Sequence, residues 1–142
     1  MTSRLIVHFE DNYSDAWGGT QESLFMYKQM CFNWNIDELR IIDLRSDKSR
    51  QPRDETLNMK YYSSLEESIS DLHNCVYIDI HGTTNLWAFK HKKDMNYIIG
   101  ASYGYRETPI GIRIRIPQNG HGELHSTHIA SIILSHRYMN IG

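Results

Sequence analysis

Cysteine is scarce in this sequence, and Cys31 and Cys75, the two that occur, form no CxxC pair. Such usage is typical of buried, reduced thiols and does not indicate a disulfide framework. No apolar run approaches the length of a membrane-spanning helix. Residues 1–9 carry one basic residue and a very short apolar stretch, which is not the pattern of a signal peptide. These absences favour a cytoplasmic protein.

An excess of positive charge is also lacking, because the formal net charge is −2. Proteins that bind nucleic acids usually carry net positive charge, so this value counts against RNA binding by an isolated monomer. Basic residues are nevertheless grouped in three stretches, within residues 45–53, 90–93 and 113–115. Each stretch by itself is more typical of a solvated surface than of a phosphate contact.

The 142 residues are 40% apolar and 23% charged, which fits a single globular α/β domain over residues 1–142. Short β-branched runs alternate with segments of helical periodicity. The predicted strands are residues 5–9, 39–44, 76–80, 97–100 and 110–116, and the predicted helices begin near residues 20, 65 and 126. This alternation predicts a mostly parallel sheet of about five or six strands, flanked by helices on both faces. Ligands bind such sheets at the carboxyl ends of the strands.

Two segments place glycine or arginine at such positions. Residues 97–107 run from a strand into a loop with glycines at 100 and 104, where backbone can approach a ligand closely; the alternative is an ordinary glycine turn. Residues 112–117 alternate apolar and basic residues before Pro117. Their arginines either face water near a sheet edge or reach a substrate phosphate or a partner subunit.

Two further segments lie near predicted helix starts. Residues 121–128 contain three histidines and a glutamate, which indicate either a zinc site or simple capping, although the spacing matches no common zinc motif. Residues 17–21 contain two glycines and Thr20, which suits either a helix start that faces an anion or a plain turn and cap.

Taken in order, these segments resemble a known family. Residues 96–138 are similar to the C-terminal part of the SpoU-type branch of the SPOUT superfamily, which contains RNA 2′-O-ribose methyltransferases. The family shows a strand that ends in a Gly-x-Glu loop, then a strand that ends in Ile-x-Ile-Pro, then a loop that leads into an aliphatic helix. Here these correspond to residues 97–102, 112–117, and 123–125 leading into 126–138.

The resemblance implies a C-terminal trefoil knot, which is an exception to the general rarity of knots. It also implies a homodimer that binds S-adenosylmethionine among three loops, chiefly through backbone groups, and that acts on the ribose of a tRNA or rRNA. The residues implied in cofactor binding are Ile80, His81, Gly100, Ala101, Gly104, Ile116 and Leu124.

The sequence departs from the family pattern at three places. Residues 21–29 contain Lys28 but no counterpart of the family's catalytic arginine. Ser102 occupies the position of a family glutamate, and Glu123 and His125 replace a serine and an asparagine. Methyl transfer to a ribose requires that the hydroxyl proton be removed or stabilised. The candidates for this role are Lys28, Arg106 and His125.

Two other functions stay open at the level of sequence. The missing family side chains favour a catalytically inactive SPOUT-like protein that binds RNA or a nucleotide. A different class is a metal-dependent hydrolase that uses histidine ligands, namely His81, His121, His125 and His128. The leading prediction names no metal.

Overall fold

A computed structural model describes residues 2–10, 21–78, 82–100, 112–117 and 125–141. Seven strands form one sheet, namely β1 (Arg4–Phe9), β2 (Glu38–Asp43), β3 (Asn58–Tyr62), β4 (Cys75–Ile78), β5 (Thr84–Asn85), β6 (Asn96–Ile99) and β7 (Arg113–Arg115). The strand order is β3-β2-β1-β6-β4-β7-β5. Every pair of neighbouring strands is parallel, so all carboxyl ends lie at one edge.

The predicted fold class is confirmed, with two strands that the sequence pattern did not predict. β3 is a short strand of mixed burial that pairs only with β2 in the described part of the chain. β5 has two residues and lies where a turn was predicted. The predicted trefoil knot depends on residues 101–111 and 118–124, which lie outside the described residues.

In the described residues three α-helices cover the sheet: α1 (Gln21–Asn33), α2 (Leu65–Ile69) and α3 (Ser126–Ile141). The spacing of Leu24, Tyr27, Cys31 and Trp34 predicts one apolar helix face; the first three are buried, and Trp34, just after α1, is half-buried against the same cluster. α1 and α3 share a core cluster with one face of the sheet, and Leu65 of α2 packs in a smaller cluster on the other face. The prediction of helices on both faces is therefore confirmed.

α3 buries a face that differs slightly from the predicted one. The predicted stripe was Ile129, Ile132, Ile133 and His136. The buried residues are instead Thr127, Ala130, Ile133, Leu134 and Arg137, while Ile129 and Ile132 are half-buried at the margin of the core. The difference arises because α3 packs against both α1 and β6, so the small Ala130 faces the core and aliphatic residues flank it. No helix in the described part of the chain is both long and apolar enough to span a membrane.

Candidate functional site

Three neighbouring strands carry the loops for which the sequence predicts a ligand role. β4 lies between β6 and β7, and both pairings are parallel. Ile78 is paired with Ile99 on one side and with Ile114 on the other, so the three strands end side by side. The segments that follow them, beginning after residues 78, 100 and 117, therefore leave the sheet at one edge. The structure thus brings together the origins of the three predicted cofactor loops.

Gly82 lies where the chain returns to the sheet after residues 79–81. A Cβ atom at this position would stand 2.5 Å from the carbonyl carbon of Ile114 and 2.6 Å from the amide nitrogen of Arg115. No side chain fits at such distances, because both neighbours are backbone atoms of β7. The glycine therefore allows the backbone at residue 82 to pack directly on β7, the strand that leads into the third loop.

Gly100 follows β6 directly and lies over the side chain of Tyr77. A Cβ atom here would be 3.0 Å from the Tyr77 hydroxyl oxygen. Gly100 is a predicted cofactor-binding residue, and the structure places it at the carboxyl edge, as expected. Gly82 and Gly100 therefore both allow close packing of backbone against neighbouring protein atoms at this edge.

His8 is buried next to the same edge. Its Nδ1 atom lies 3.0 Å from the carbonyl oxygen of Ile99. Burial lowers the pKa of His8 to about 4, although the hydrogen bond to Ile99 opposes this effect. His8 is consequently a neutral imidazole near neutral pH, and it joins the end of β1 to the end of β6.

His125 precedes α3 and caps its first turn. The backbone amide of Thr127 donates to His125 Nδ1 at 3.1 Å, and the Thr127 hydroxyl lies 2.7 Å from the same atom. Burial, and then the neighbouring His128, lower the pKa of His125. Because Nδ1 accepts a backbone hydrogen bond, the proton of the neutral ring is on Nε2. A predicted catalytic residue therefore also has a structural role as a helix cap.

The start of α3 is fixed to α1 by a buried contact. The Tyr27 hydroxyl donates to the Ser126 side-chain oxygen at 2.8 Å. Beside this contact, a groove of about 570 Å³ runs between the two helices. Its lining includes Phe25 and Met26, which are 57% and 46% exposed, together with His125 and His128.

Lys28, another predicted catalytic residue, lies on α1 and is half-buried. Its Nζ atom is 5.8 Å from the centre of the Phe25 ring, so the lysine approaches a side chain of the groove. The structure thus places Lys28 on α1 and His125 directly before α3, the two helices that form this groove.

Arg45 lies at the end of β2, at the carboxyl edge of the sheet. Its guanidinium donates to both carboxylate oxygens of Asp43, each at 2.9 Å, and lies 3.9 Å from the centre of the Phe9 ring. Burial alone would raise the pKa of Asp43, but hydrogen bonds from Arg45 and Gln51 hold it below its ordinary value. This ion pair fixes the Arg45 side chain in place at the carboxyl edge.

Several predicted site residues lie outside the described part of the chain. These are Ile80, His81, Ala101, Gly104, Arg106 and Leu124. Ile116 is described and half-buried just after β7. Of the four histidines predicted for a hydrolase, His125 and His128 are described, and their ring centres are 5.9 Å apart. Within the described residues, no group of three or more potential metal ligands is found.

Sequence reasoning missed Gly82 and His8 as parts of this edge. The signal for Gly82 was weak, because a glycine after a strand is common in any turn. Its importance depends on β7, which lies about 30 residues further along the chain, as the pairing of Thr84 with Ile114 shows. His8 stands within an apolar run, which is typical of a buried histidine that is hydrogen-bonded in the core. The sequence does not show that its partner is Ile99 on β6.

The structure of this chain is similar to known proteins, whereas its sequence is not. No family model matches the sequence, and no curated protein matches it. Solved structures do match. A Bacillus anthracis protein assigned as an RNA methyltransferase is similar over 97% of this chain and 93% of that one, with a TM-score of 0.70 and 16% identity. A structure concerned with 2-OH methylation of C/U34 on tRNA is similar over 99% and 91% of the two chains, with a TM-score of 0.78 and 12% identity.

A third match is the SpoU methyltransferase AviRb from Streptomyces viridochromogenes, solved in complex with AdoMet. This chain spans 56% of AviRb and is covered over 96% of its own length, with a TM-score of 0.68 and 13% identity. The architecture is therefore a parallel α/β sheet with its candidate site at the carboxyl edge. More specifically, the chain has the fold of the SpoU-type RNA methyltransferases, as the resemblance of residues 96–138 predicted.

Proposed function

We propose that this protein is an S-adenosylmethionine-dependent RNA methyltransferase of the cytoplasm, formed by a single domain over residues 1–142. The observation that carries the proposal is the common edge at which β6, β4 and β7 end. Three loops leave the sheet there, and Gly82 and Gly100 allow close packing of backbone beside their starting points. Ligands of parallel α/β sheets bind at this edge.

The cofactor-binding residues in this proposal are those of the three loops. They are Ile80, His81, Gly100, Ala101, Gly104, Ile116 and Leu124. S-adenosylmethionine would supply an electrophilic methyl group, and the acceptor is a 2′-hydroxyl of a tRNA or rRNA ribose. The chain itself must orient that hydroxyl and take up its proton.

Lys28, Arg106 and His125 are the candidates for that step. His125 has the clearest physical basis, because its Nδ1 accepts from the Thr127 amide and its lowered pKa keeps the ring neutral near pH 7. In the capped tautomer Nε2 carries the proton, so His125 would orient the 2′-oxygen by donating a hydrogen bond to it. The hydroxyl proton would pass to Lys28 or Arg106, the other two candidates.

The proposal also includes a homodimer. Phe25 and Met26 expose apolar surface on α1, beside the groove that α1 forms with α3. A second copy seated there would cover this surface. Sedimentation of Met26→Glu is expected to show a monomer, while Leu44→Glu, at a side chain with a similar 44% exposure away from the groove, is expected to remain dimeric.

The direct test is calorimetric titration of the purified protein with S-adenosylmethionine, followed by transfer of a labelled methyl group to bulk tRNA and rRNA. We expect binding near one cofactor per chain and label in the ribose 2′-O position. His125→Ala is expected to retain cofactor binding and lose transfer, while His128→Ala, three residues further along the chain, retains both. Absence of cofactor binding by the dimer would refute the proposal.

A second candidate is an inactive relative that binds RNA or a nucleotide without turnover. Residues 21–29 contain Lys28 but no counterpart of the family's catalytic arginine, and this difference favours an inactive relative. Binding of cofactor or RNA without any labelled product would support this second function over the first.

A further inference from the structure

An exposed aromatic side chain stands next to a run of lysines, away from the groove between α1 and α3. Trp87 lies in a single 3₁₀ turn, Leu86–Ala88, directly after β5, and it is 60% exposed. Asn85 caps this turn, since its side-chain oxygen accepts from the Trp87 amide at 2.9 Å. The indole ring lies 5.4 Å from the ring of His136 on α3. The position of a large exposed aromatic is thus fixed by the fold.

The segment that follows Trp87 is anchored to α3 by side-chain contacts. His91 Nε2 lies 2.7 Å from His136 Nδ1, and His91 Nδ1 lies 2.8 Å from the Tyr97 hydroxyl. Arg137 donates to the carbonyl oxygen of Lys93 at 2.7 Å. These bonds hold residues 90–93 against α3, so the backbone that carries the three lysines has a fixed position.

The charge of this segment differs from that of the whole chain. Lys90, Lys92 and Lys93 are all exposed. The acidic residue beside them, Asp94, accepts a hydrogen bond from the Asn74 side chain at 3.0 Å. Three lysines within four residues contrast with a chain of formal net charge −2. We call Trp87, His136, Lys90, Lys92 and Lys93 the aromatic–basic patch.

An aromatic face beside several lysines has the chemistry that single-stranded nucleic acid requires. Any base can stack on an exposed ring, and lysines neutralise the phosphates on either side. An acidic protein would also be attracted by the lysines, but it would not need the exposed indole. The combination therefore favours a nucleic acid over an acidic protein.

The position of the patch relates it to the candidate site. α3 begins at Ser126, beside Tyr27 and the groove, and His136 lies ten residues further along the helix, about 15 Å by the rise of an α-helix. We propose that the aromatic–basic patch binds a single-stranded segment of the RNA substrate, with one base stacked on Trp87. This inference rests on the proposed function, because it supplies that RNA with a second contact outside the cofactor edge.

The test uses the full chain and a fluorescent ten-nucleotide oligoadenylate RNA as the probe. We expect Trp87→Ala to weaken binding by roughly tenfold or more, as loss of one base stack implies. Trp87→Phe keeps an aromatic face and is expected to retain most of the affinity. The logarithm of the affinity for single-stranded nucleic acid falls with the logarithm of the salt concentration, with a slope of about −0.7 per neutralised phosphate. The double change Lys90→Gln with Lys92→Gln is therefore expected to reduce the magnitude of this slope by about 1.4.

The matched control is Lys48→Gln with Arg50→Gln, which removes the same amount of charge from an exposed loop elsewhere. Thermal unfolding of each variant verifies that it is folded. The inference is overturned if Trp87→Ala binds like the unaltered chain, if Trp87→Phe loses as much affinity as Trp87→Ala, or if the control double variant lowers the slope equally. An acidic decapeptide that competes as well as the RNA would also overturn it.

Titration of the same variants with S-adenosylmethionine separates this inference from the proposed function. Normal cofactor binding by Trp87→Ala, together with weakened RNA binding, supports both. RNA binding that depends on Trp87 in a protein that binds no cofactor supports the patch and refutes the methyltransferase.

Discussion

On one face of the sheet, α1 and α3 cover a broad apolar cluster that includes Leu5, Leu39, Ile133 and Leu134. The other face has a smaller cluster under α2 and, beside it, buried charge. There, Arg40 is 1% exposed and pairs with Glu38, which is 2% exposed, and with Asp71. The first face is held by removal of apolar surface from water, whereas the second depends on polar partners being present together. The two faces should therefore respond differently to substitution and to pH.

The largest difference is expected from Arg40→Met. This change leaves Glu38 buried, with its carboxylate still contacted by Arg4 at 3.1 Å but without its closest partner. Loss of one member of a buried ion pair costs about 4 kcal/mol of unfolding free energy. Denaturant unfolding measures it, and Asp71→Asn, at a side chain that is 63% exposed, should cost less than about 1 kcal/mol.

A combined Glu38→Gln and Arg40→Met variant tests the reason for that loss. If the cost arises from a buried carboxylate that has lost its closest charged partner, the double variant should be more stable than Arg40→Met alone. Equal stability of the single variant and the unaltered chain would contradict the account of this face.

On the apolar face, Leu134→Ala is expected to destabilise by about 3 kcal/mol. Leu134 is fully buried, so the change removes transfer free energy and leaves a cavity. The loss should not vary between pH 5 and pH 8, which unfolding at both values would show. Met139→Ala, on the same helix with an 81% exposed side chain, serves as the control and should change stability little.

His8 should contribute to the pH dependence of the unfolding free energy. It lies on the same face of the sheet as Ile6, because residues two apart on a strand point to the same face. Burial lowers its pKa from 6.5 to about 4, so the unfolded chain binds the proton more readily. Stability from His8 is complete above pH 6.5 and declines as the pH falls toward 4, by about 2 kcal/mol at pH 5.

The corresponding measurement compares the unaltered chain with His8→Gln from pH 8 to pH 5. The difference in unfolding free energy between the two proteins should shrink by that amount as the pH falls. A constant difference would mean that His8 has the same pKa in the folded and the unfolded chain.

The smallest effect is expected at α2. Ser64 caps this helix by accepting from the Glu67 amide at 3.1 Å, so Ser64→Ala should cost about 1 kcal/mol. Thermal unfolding would show it, and Ser70→Ala, beyond the end of α2, should cost less. A loss as large as that of Leu134→Ala would indicate that α2 contributes more to its face than its five residues suggest.

The sequence was informative where structure is local. The capping pattern at Ser64, the periodicity of α1 and the strand runs of β1, β2, β4 and β6 are all present in the structure. β3 and β5 were not predicted, because their pairing comes from strands elsewhere in the chain and their own residues carry little apolar pattern.

The candidate site was predictable in part for the same reason. The alternation of strands and helices predicts parallel strands whose carboxyl ends share one edge, so the position of Gly100 at that edge was expected. The contact of Gly82 with β7 and that of His91 with His136 join residues distant in sequence, and no local signal encodes them. The roles of Lys28, Arg106 and His125 stay predictions until transfer is measured.

The strand order has a consequence for biosynthesis. In the described part of the chain, β5 is hydrogen-bonded only to β7, and β7 inserts between β4 and β5. During synthesis, Thr84 and Asn85 can join the sheet only after Ile114 and Arg115 have been made. The carboxyl edge formed by β6, β4 and β7 is complete only once residues 113–115 have been made, so a ligand that needs all three strands finds its site only then.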